Sequence, residues 1–406
     1  MHSMTLIAPP QQGAVISQDQ LVGGRIKALS ELTGVSRTRL AEGVGATPAM
    51  LSKVESGNQR FPLELASALA ERNALPLDFF VQTDPVVEHV VPTFRKKTRA
   101  SATEQKRIVR LAREAGRLFT RASAETDYRP FDFTDDADLL EDVEQVAIEV
   151  RRAARIEPDV PVSNVTRVLE RQGIAVINGL DPNNDHEADF TGVSLPTAYN
   201  RRALVAVIGH TPGAVARFTI AHEAAHCIWD LDLPSPLSST RDHRELRAHR
   251  FAGALLLPEA AMRQRIHEHT TLRGYLPMKA DYGVSVGAII MRARDLRIIT
   301  SERARSLQIQ LSSLGWRDPA IEPLPVSDER PLLLKQALQR ATATDSLSLA
   351  AYTGLPPELV RHWAQLDPEP QPDAATADVI DLAAARERCS NSGVSRTSSS
   401  PMTCKD

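Results

Sequence analysis

Two histidines separated by one helical turn are the residues of this chain with the clearest chemical meaning. They belong to the run His222-Glu223-Ala224-Ala225-His226. On a helix, residues four apart share a face, so both imidazoles can bind one metal ion, and neutral nitrogen ligands favour zinc. Glu223 lies beside them, where it can take a proton from a water that attacks a peptide carbonyl and pass it to the leaving amine. The spacing therefore predicts a zinc site with hydrolytic chemistry.

The residues around this run predict that its helix is buried. They are small or apolar: Phe218, Ile220, Ala221, Ala224, Ala225 and Ile228. Two imidazoles and a carboxylate in an apolar interior would be costly without a metal. The alternative, two histidines that face the same way on an exposed helix, fits these neighbours poorly.

A third protein ligand must come from elsewhere in the chain, and the sequence offers several. Glu245 follows His226 by nineteen residues and lies in a second predicted helix. Asp230 is four residues beyond His226, although it also fits a polar residue at the C-terminus of a helix. His243 and His249 are nearby as well. We expect Glu245 to be the ligand and keep the other three as alternatives.

Residues 145–318 resemble the metallopeptidases related to the ImmA and IrrE proteins, which cleave repressors of the phage or damage-response type. The resemblance rests on Arg217–Ala221, which leads into the histidines, and on Ala248–Pro258. Two shorter segments, Tyr282–Ser285 and Leu314–Trp316, are similar too.

This resemblance implies a gluzincin-type peptidase with Glu223 as the catalytic base. Glu245 begins the pattern Glu-x-x-Ala that supplies the third ligand in gluzincins, which favours it over Asp230. Many relatives carry a glutamate just before that alanine and an asparagine just after it. This chain has Arg247 and His249 at those positions.

Three segments upstream of the motif are expected to be strands. Ile174–Ile177 and Ala203–Ile208 are apolar runs of strand length, and Phe190–Leu195 is a further expected sheet segment. Gluzincins present an edge strand to an extended substrate, so the resemblance implies this role for Phe190–Leu195 or Ala203–Ile208, a plain core strand being the alternative. Thr211 and Pro212 then predict the start of the motif's helix, with the hydroxyl as N-cap and the proline at the first helical position.

A second set of motifs lies near the N-terminus. The segments Gly34–Ala41 and Gly45–Gly57 are similar to the Cro/C1-type helix-turn-helix domains of the XRE family. Four apolar residues are spaced to hold two short helices against each other: Leu40, Ala41, Leu51 and Val54. The resemblance implies that the second of these helices enters the major groove of DNA.

Individual DNA contacts can be proposed for this second helix and its surroundings. Four side chains could face base edges: Thr47, Ala49, Ser52 and Lys53. Three are better placed for phosphates, which set register without carrying sequence information: Arg37, Asn58 and Arg60. Arg37 stands where relatives often carry a base-contacting glutamine, so no base preference carries over. A fold kept for protein contacts alone is the alternative; because one such domain binds DNA weakly, we expect a homodimer.

The net charge of −3 hides an uneven distribution of charge. Gln20–Arg60 holds six basic and three acidic residues, and Phe94–Arg121 holds ten basic and two acidic residues. Glu125–Glu144 reverses the sign, with nine acidic residues and one basic residue. This pattern indicates a polyanionic partner near the N-terminus, unless the charges are solvated helix faces.

The composition and the lack of targeting signals indicate in which compartment the protein resides. No run approaches the roughly 18 apolar residues that span a bilayer, and the N-terminus has no secretion signal. The three cysteines, two of them in a Ser-rich tail, do not form a disulfide framework. We therefore expect a cytoplasmic, nucleoid-associated protein without a membrane partner.

The predicted fold is multidomain and mainly α, with an all-α helix-turn-helix domain, an α+β zincin-like metallopeptidase domain and a helical C-terminal region. The expected domains are a loose leader (1–17), the DNA-binding domain (18–82), a basic helical linker with an acidic joint (83–142), the peptidase domain (143–267), a helical subdomain that is either helix-turn-helix-like or a plain cap on the active site (268–318), a helical C-terminal region (319–370) and a disordered tail (371–406).

Together these features predict a DNA-binding zinc endopeptidase that controls transcription by cleaving a repressor. Its expected partners are Zn²⁺, duplex DNA, a helix-turn-helix repressor as substrate and a second copy of the chain. The alternative is a transcriptional regulator whose metallopeptidase-like domain is a sensor or a structural unit. An intact Glu223 favours the enzyme, because a structural zinc site is closed and needs no base; the fused DNA-binding domain favours the regulator.

Overall fold

Helices make up most of the described chain, and one small sheet lies among them. The computed structural model describes residues 16–83, 90–96, 101–131, 133, 137–183, 190–196, 201–231, 233 and 242–368, and leaves the side chains of 94–96, 137 and 190 undescribed. Residues Met1–Asp367 form one unit and Pro368–Asp406 another, and every element below belongs to the first. The mainly α class is confirmed, while the domain boundaries stay a prediction. The tail that was expected to be disordered and nearly all of the leader that was expected to be loose lie outside the described residues.

The elements are numbered in chain order. The α-helices are α1 (Arg25–Thr33), α2 (Arg37–Gly43), α3 (Pro48–Glu55), α4 (Leu63–Arg72), α5 (Ala102–Glu125), α6 (Ala137–Glu141), α7 (Val143–Ala153), α8 (Val165–Glu170), α9 (Gly213–Trp229), α10 (His243–Leu256), α11 (Glu259–Arg265), α12 (Leu276–Tyr282), α13 (Val286–Asp295), α14 (Ser301–Ser313), α15 (Leu333–Ala341), α16 (Ser346–Thr353) and α17 (Pro357–Ala364). The strands are β1 (Thr93–Lys96), β2 (Ala175–Asn178), β3 (Phe190–Leu195) and β4 (Leu204–Val207).

The four strands form a sheet in the order β1-β3-β4-β2. β2 and β4 run parallel, with Ala175 opposite Leu204. β3 is antiparallel to β4, with Gly192 opposite Val207, and β1 is antiparallel to β3 on its other side. β3 and β4 therefore have both of their edges paired, and the expectation that one of them is an edge strand is wrong: both are interior strands of the sheet.

The sheet separates two hydrophobic cores because successive side chains of a strand point to opposite faces. Val176, Val205 and Val207 enter a first core with α9, α10 and α13. Ile177 and Leu204 enter a second core with α5, the N-terminal helices and the C-terminal helices α15 to α17. The functional motif therefore lies on one side of the sheet, and the N-terminal bundle on the other.

Helix α5 is an interior element, although its composition allowed a solvated basic helix. Its N-cap is Ser101, whose hydroxyl accepts a hydrogen bond from the backbone of Glu104. Three of its arginines form internal ion pairs, those of Arg107 with Asp181, Arg110 with Glu31 and Arg117 with Glu114. Part of the charge excess of this region is thus neutralised by ion pairs within the described residues.

The predicted strands and the motif's helix are found close to their expected positions, with two differences. The helix begins at Gly213 with Pro212 as its N-cap, one residue later than expected, and the Thr211 hydroxyl bonds to Gly209 instead of capping it. Strand β1 was missed, because its region was expected to be a linker. Its four residues follow a proline and include two charged ones, so no alternation of apolar residues marks them.

The remaining helices surround the two cores. Near the N-terminus, α2 and α3 are joined by a turn in which Gly45 has a φ of +68°, a value that favours glycine. Leu40, Ala41, Leu51 and Val54 are buried between these helices and their neighbours. Across the described residues, the helices are all too short or too polar to cross a membrane.

Candidate metal centre

Helix α9 carries both histidines of the motif through the interior. It is buried from Gly213 to Ile228 on nearly every side, as expected of a helix that is hydrophobic all round. His222 and His226 lie one turn apart, with their ring centroids separated by 5.2 Å. Both imidazoles approach the neighbouring helix α10.

Glu245 of α10 completes a group of three buried side chains. Its Oε2 lies 3.2 Å from Nε2 of His222, and its Oε1 lies 3.7 Å from Nε2 of His226. One donor atom of each residue lies within 4.8 Å of the others, so this group could hold a metal ion. Ligand atoms bound tetrahedrally at about 2.0 Å from zinc would be roughly 3.3 Å apart, which these separations match.

The other candidates for a third ligand lie outside this group. His243 is exposed and contacts Asp242. His249 packs against Phe218, with a ring separation of 4.9 Å. Phe218 lies one turn before His222, and His249 lies one turn after Glu245. Because these two pairs are in contact, α9 and α10 run antiparallel.

Asp230 contacts one of the candidate ligands, His226, instead of joining the group. Its Oδ2 lies 2.7 Å from Nδ1 of His226, and its Oδ1 accepts a hydrogen bond of 2.7 Å from Arg247. Arg244 lies 3.6 Å from the same oxygen. Arg247 is one of the two residues that depart from the family pattern. It therefore fixes the Asp230 carboxylate, which in turn contacts His226.

The tautomer of His226 explains why these residues fit a cation. Its Nδ1 donates to Asp230, so in the neutral ring the lone pair of Nε2 faces the Glu245 carboxylate. Two electron-rich atoms facing each other in the interior favour a positive charge between them. Burial opposes protonation of His226, but the hydrogen bond to Asp230 and the charges of Glu223 and Glu245 outweigh it and raise its pKa.

Strand β3 positions Glu223 from the side opposite α10. The Ser194 hydroxyl donates a hydrogen bond of 2.9 Å to Oε2 of Glu223. Two residues earlier on the same face, a Cβ at Gly192 would lie 2.8 Å from Cγ of Glu223 and 2.5 Å from Cγ2 of Thr219. Glycine at this position therefore allows the strand to approach the helix closely. The Thr93 hydroxyl of β1 makes a short hydrogen bond with that of Ser194.

Sequence reasoning did not identify Gly192, Ser194 or Thr93 as part of this site. A signal existed for the first two, since small residues two apart in a predicted strand share a face and permit a close helix. Thr93 had no such signal, because its strand was not expected. Cys227 is next to the ligands, but burial together with the charges of Glu223 and Asp230 raises its pKa far above the ordinary range, so the thiol stays protonated.

Residues 170–294 match the family model of the IrrE N-terminal-like domain, a peptidase family. The matched stretch contains strands β2 to β4, both histidines and Glu245. It is similar to a metallopeptidase domain of the ImmA/IrrE type. No curated protein is significantly similar to the chain. The metallopeptidase-like domain thus coincides with the part of the chain in which the three candidate ligands meet.

The seven residues expected to contact DNA are exposed. Ala49, Ser52 and Lys53 project from α3 at a spacing that places them on one helical face. Thr47 is the N-cap of α3, where its hydroxyl accepts a hydrogen bond from the backbone of Met50. The three expected phosphate contacts lie around this face, and each has a local partner. Arg37 pairs with Glu55, Asn58 donates to Ser56, and Arg60 pairs with Asp19.

Proposed function

We propose that the chain is a zinc-dependent endopeptidase that binds DNA and controls transcription by cleaving a repressor protein. The observation that supports the enzyme is the combination of three buried candidate ligands with a separate buried carboxylate, Glu223, which β3 orients. A site that served structure alone would need no such carboxylate. A sensor or structural role for this domain is the competing proposal.

His222, His226 and Glu245 would hold the metal, and Asp230 would keep His226 in the required tautomer. A bound zinc ion would make a water more acidic and polarise the substrate carbonyl. Glu223 would take the proton of the water as its oxygen attacks the carbonyl carbon, and would deliver it to the amine nitrogen as the peptide bond breaks. Ser194 would keep the Glu223 carboxylate in place for both transfers.

Glu223→Gln tests the enzymatic proposal, because the amide cannot accept a proton. We expect the variant to retain one zinc per chain and the unfolding midpoint of the wild type, while losing at least ~100-fold in cleavage rate, the usual scale for a general base. The substrates are co-encoded helix-turn-helix repressors incubated with each protein and zinc, and the readout is intact mass. Equal fragmentation by both proteins would assign the cleavage to a contaminant.

If neither protein cuts a repressor, that result alone does not show that the domain is a sensor in a transcriptional regulator. The wild type and Glu223→Gln are therefore also compared in cells by transcription from the promoter of the chain's own gene. Identical regulation by the two, with no cleavage in solution, would reject the enzyme and support the sensor.

We propose DNA binding through the exposed face of α3. The face begins at the N-cap of α3 and carries small side chains together with Lys53. It can therefore approach a groove of DNA closely, and it exposes no large apolar side chain. Lys53→Ala should relax sequence preference, whereas Arg60→Ala should weaken binding to all sequences alike. The measurement is fluorescence anisotropy of the full chain on promoter DNA and on scrambled DNA at several salt concentrations. Affinity that does not fall with rising salt would contradict the proposal.

A further inference from the structure

The strand beside the candidate catalytic base is paired on both of its edges by the chain itself. β4 occupies one edge of β3, and β1 occupies the other. An extended peptide binds a sheet by adding a strand at an open edge. While β1 is in place, no peptide can add to β3, although it is the strand in contact with Glu223.

Two hydrogen bonds connect β1 with Glu223. Thr93 lies directly opposite Ser194, and their hydroxyls are hydrogen bonded. Ser194 in turn donates to Glu223. Both Thr93 and Ser194 are fully buried, so β1 covers the approach to this carboxylate from the sheet side.

Strand β1 is short and lies at an edge of the sheet. It has four residues, and its register with β3 is irregular between Phe94 and Lys96. On its N-terminal side, Val90 is buried in the second core and its carbonyl accepts a hydrogen bond from Arg113 of α5. The chain is therefore anchored in the second core at Val90, three residues before β1 begins.

We propose that Thr93–Lys96 acts as an internal substrate mimic, which fills the edge of β3 that an extended substrate needs and so blocks the peptidase until the strand leaves. The proposal builds on the peptidase function proposed above and concerns the regulation of that same site. It assigns β1 the place of the substrate backbone: antiparallel to β3, with a hydroxyl two hydrogen bonds from Glu223. The substrate class that follows is an extended, unfolded segment of a protein.

The test replaces the pairing residues while keeping the length of the chain. The variant combines Thr93→Gly, Phe94→Ser, Arg95→Gly and Lys96→Ser in a Glu223→Gln background, so that a bound peptide is not cut. The probe is a fluorescein-labelled peptide with the sequence of residues 90–98. Its control carries Phe94→Pro and Lys96→Pro, because proline cannot donate to a strand ladder.

Anisotropy in the absence of zinc decides the proposal independently of catalysis. We expect the strand variant to bind the peptide at least tenfold more tightly than the Glu223→Gln chain with its strand intact, and the proline control not to bind. Equal binding to both proteins, or binding to neither, overturns the proposal.

Cleavage of casein with zinc separates this proposal from the peptidase function. With Glu223 present, the strand variant should cut at least tenfold faster than the wild type. Equal, Glu223-dependent rates reject the blocking strand and keep the peptidase. Selective peptide binding without cleavage by any variant keeps the blocking strand as the occupant of the β3 edge and rejects the peptidase.

A gentler change keeps the test decisive if the strand variant does not fold. Thr93→Val removes the hydroxyl that meets Ser194 while retaining the shape of the side chain, and Thr93→Ser is its matched control. Thr93→Val should gain severalfold in peptide affinity, while Thr93→Ser should behave as the wild type. Identical peptide affinities for the two variants would overturn the proposal.

Discussion

At the scale of single residues, the two carboxylates near His226 have different tasks although both were candidate ligands. Glu245 faces the Nε2 atoms of both histidines, where a metal would bind. Asp230 faces Nδ1 of His226 and is itself held by Arg247. The side of the imidazole that a carboxylate contacts therefore separates a ligand from a partner that orients a ligand.

Metal content should follow this division of tasks. His222→Ala and His226→Ala should each abolish zinc binding, because each removes one of three ligands. Glu245→Gln should weaken zinc binding more than Asp230→Asn does, since loss of an orienting partner costs about 10–100-fold in affinity. Zinc titration against a competing chelator gives the order of the four variants. Unchanged zinc content in both histidine variants would show that zinc does not bind at these residues. If Asp230→Asn weakened zinc binding more than Glu245→Gln, Asp230 would be the ligand and Glu245 the orienting partner.

The sequence contained most of the candidate site because its ligands come from two helices with fixed spacing. His222 and His226 are four residues apart, about one helical turn, and Glu245 joins them through a single helix pairing. Ser194 depends on how closely a strand packs on that helix, which Gly192 permits but does not announce. Thr93 depends on a long-range strand pairing, which periodicity within four residues cannot reveal.

At the scale of elements, the first turn of α8 depends on a residue far away in the chain. Glu329 accepts hydrogen bonds of 3.0 Å and 2.7 Å from the backbone of Val165 and Thr166. It also forms a buried ion pair with Arg217 of α9. One carboxylate thus satisfies a helix N-terminus and neutralises a buried guanidinium next to the motif's helix.

Glu329→Ala should destabilise the protein by about 3–5 kcal/mol, because it leaves the Arg217 charge buried without its partner. Glu329→Gln keeps an acceptor for the helix N-terminus and should cost less. Asp328→Ala is the matched control, since Asp328 is exposed and adjacent. Urea unfolding of the three variants measures the difference. Equal stability of Glu329→Ala and Asp328→Ala would show that the pair is not needed.

Secondary structure was predictable where the apolar residues of one helix recur at helical spacing and are buried together. α5 lies in the region 83–142 that was expected to be a basic helical linker, and its apolar residues at helical spacing are all buried: Ile108, Leu111, Ala115 and Leu118. What the pattern could not show is that α5 is buried on its charged side as well. Arg110 and Arg117 lie in the interior because Glu31 and Glu114 meet them there, a fact of tertiary pairing and not of periodicity.

At the scale of the whole molecule, the N-terminal helices and one face of the sheet share one core. Glu114 of α5 lies at its centre, 2.6 Å from Arg25 of α1 and 3.0 Å from Arg117. Arg117 also donates to the carbonyl of Thr353 in α16. Glu114 and its ion-pair partner Arg117 therefore connect α1, α5 and α16.

The pH dependence of stability should report on Glu114. Burial raises its pKa, but the charges of Arg25 and Arg117 outweigh burial and lower it from 4.5 to about 2. Because the folded value is below the unfolded one, its stabilisation is fully present above about pH 4.5 and is lost as pH falls towards 2. A shift of this size corresponds to about 3 kcal/mol.

Urea unfolding of the wild type and Glu114→Gln between pH 7 and pH 3 measures this contribution. The difference in unfolding free energy should be constant above pH 5 and shrink below pH 4.5. Glu64→Gln, a change of an exposed residue on α4, is the control and should show no such trend. A difference for Glu114→Gln that grows as the solution becomes more acidic would contradict the assignment.

The covalent attachment of β1 sets a threshold that a competing polypeptide must pass. A tethered segment competes at an effective concentration on the order of millimolar. A free protein present at roughly micromolar concentration, and bound through strand pairing alone, would then lose by about a thousandfold. Stray unfolded chains would stay uncut, and a protein that makes further contacts elsewhere on the surface could displace the strand. Selectivity would thus be decided by affinity away from the cleaved bond.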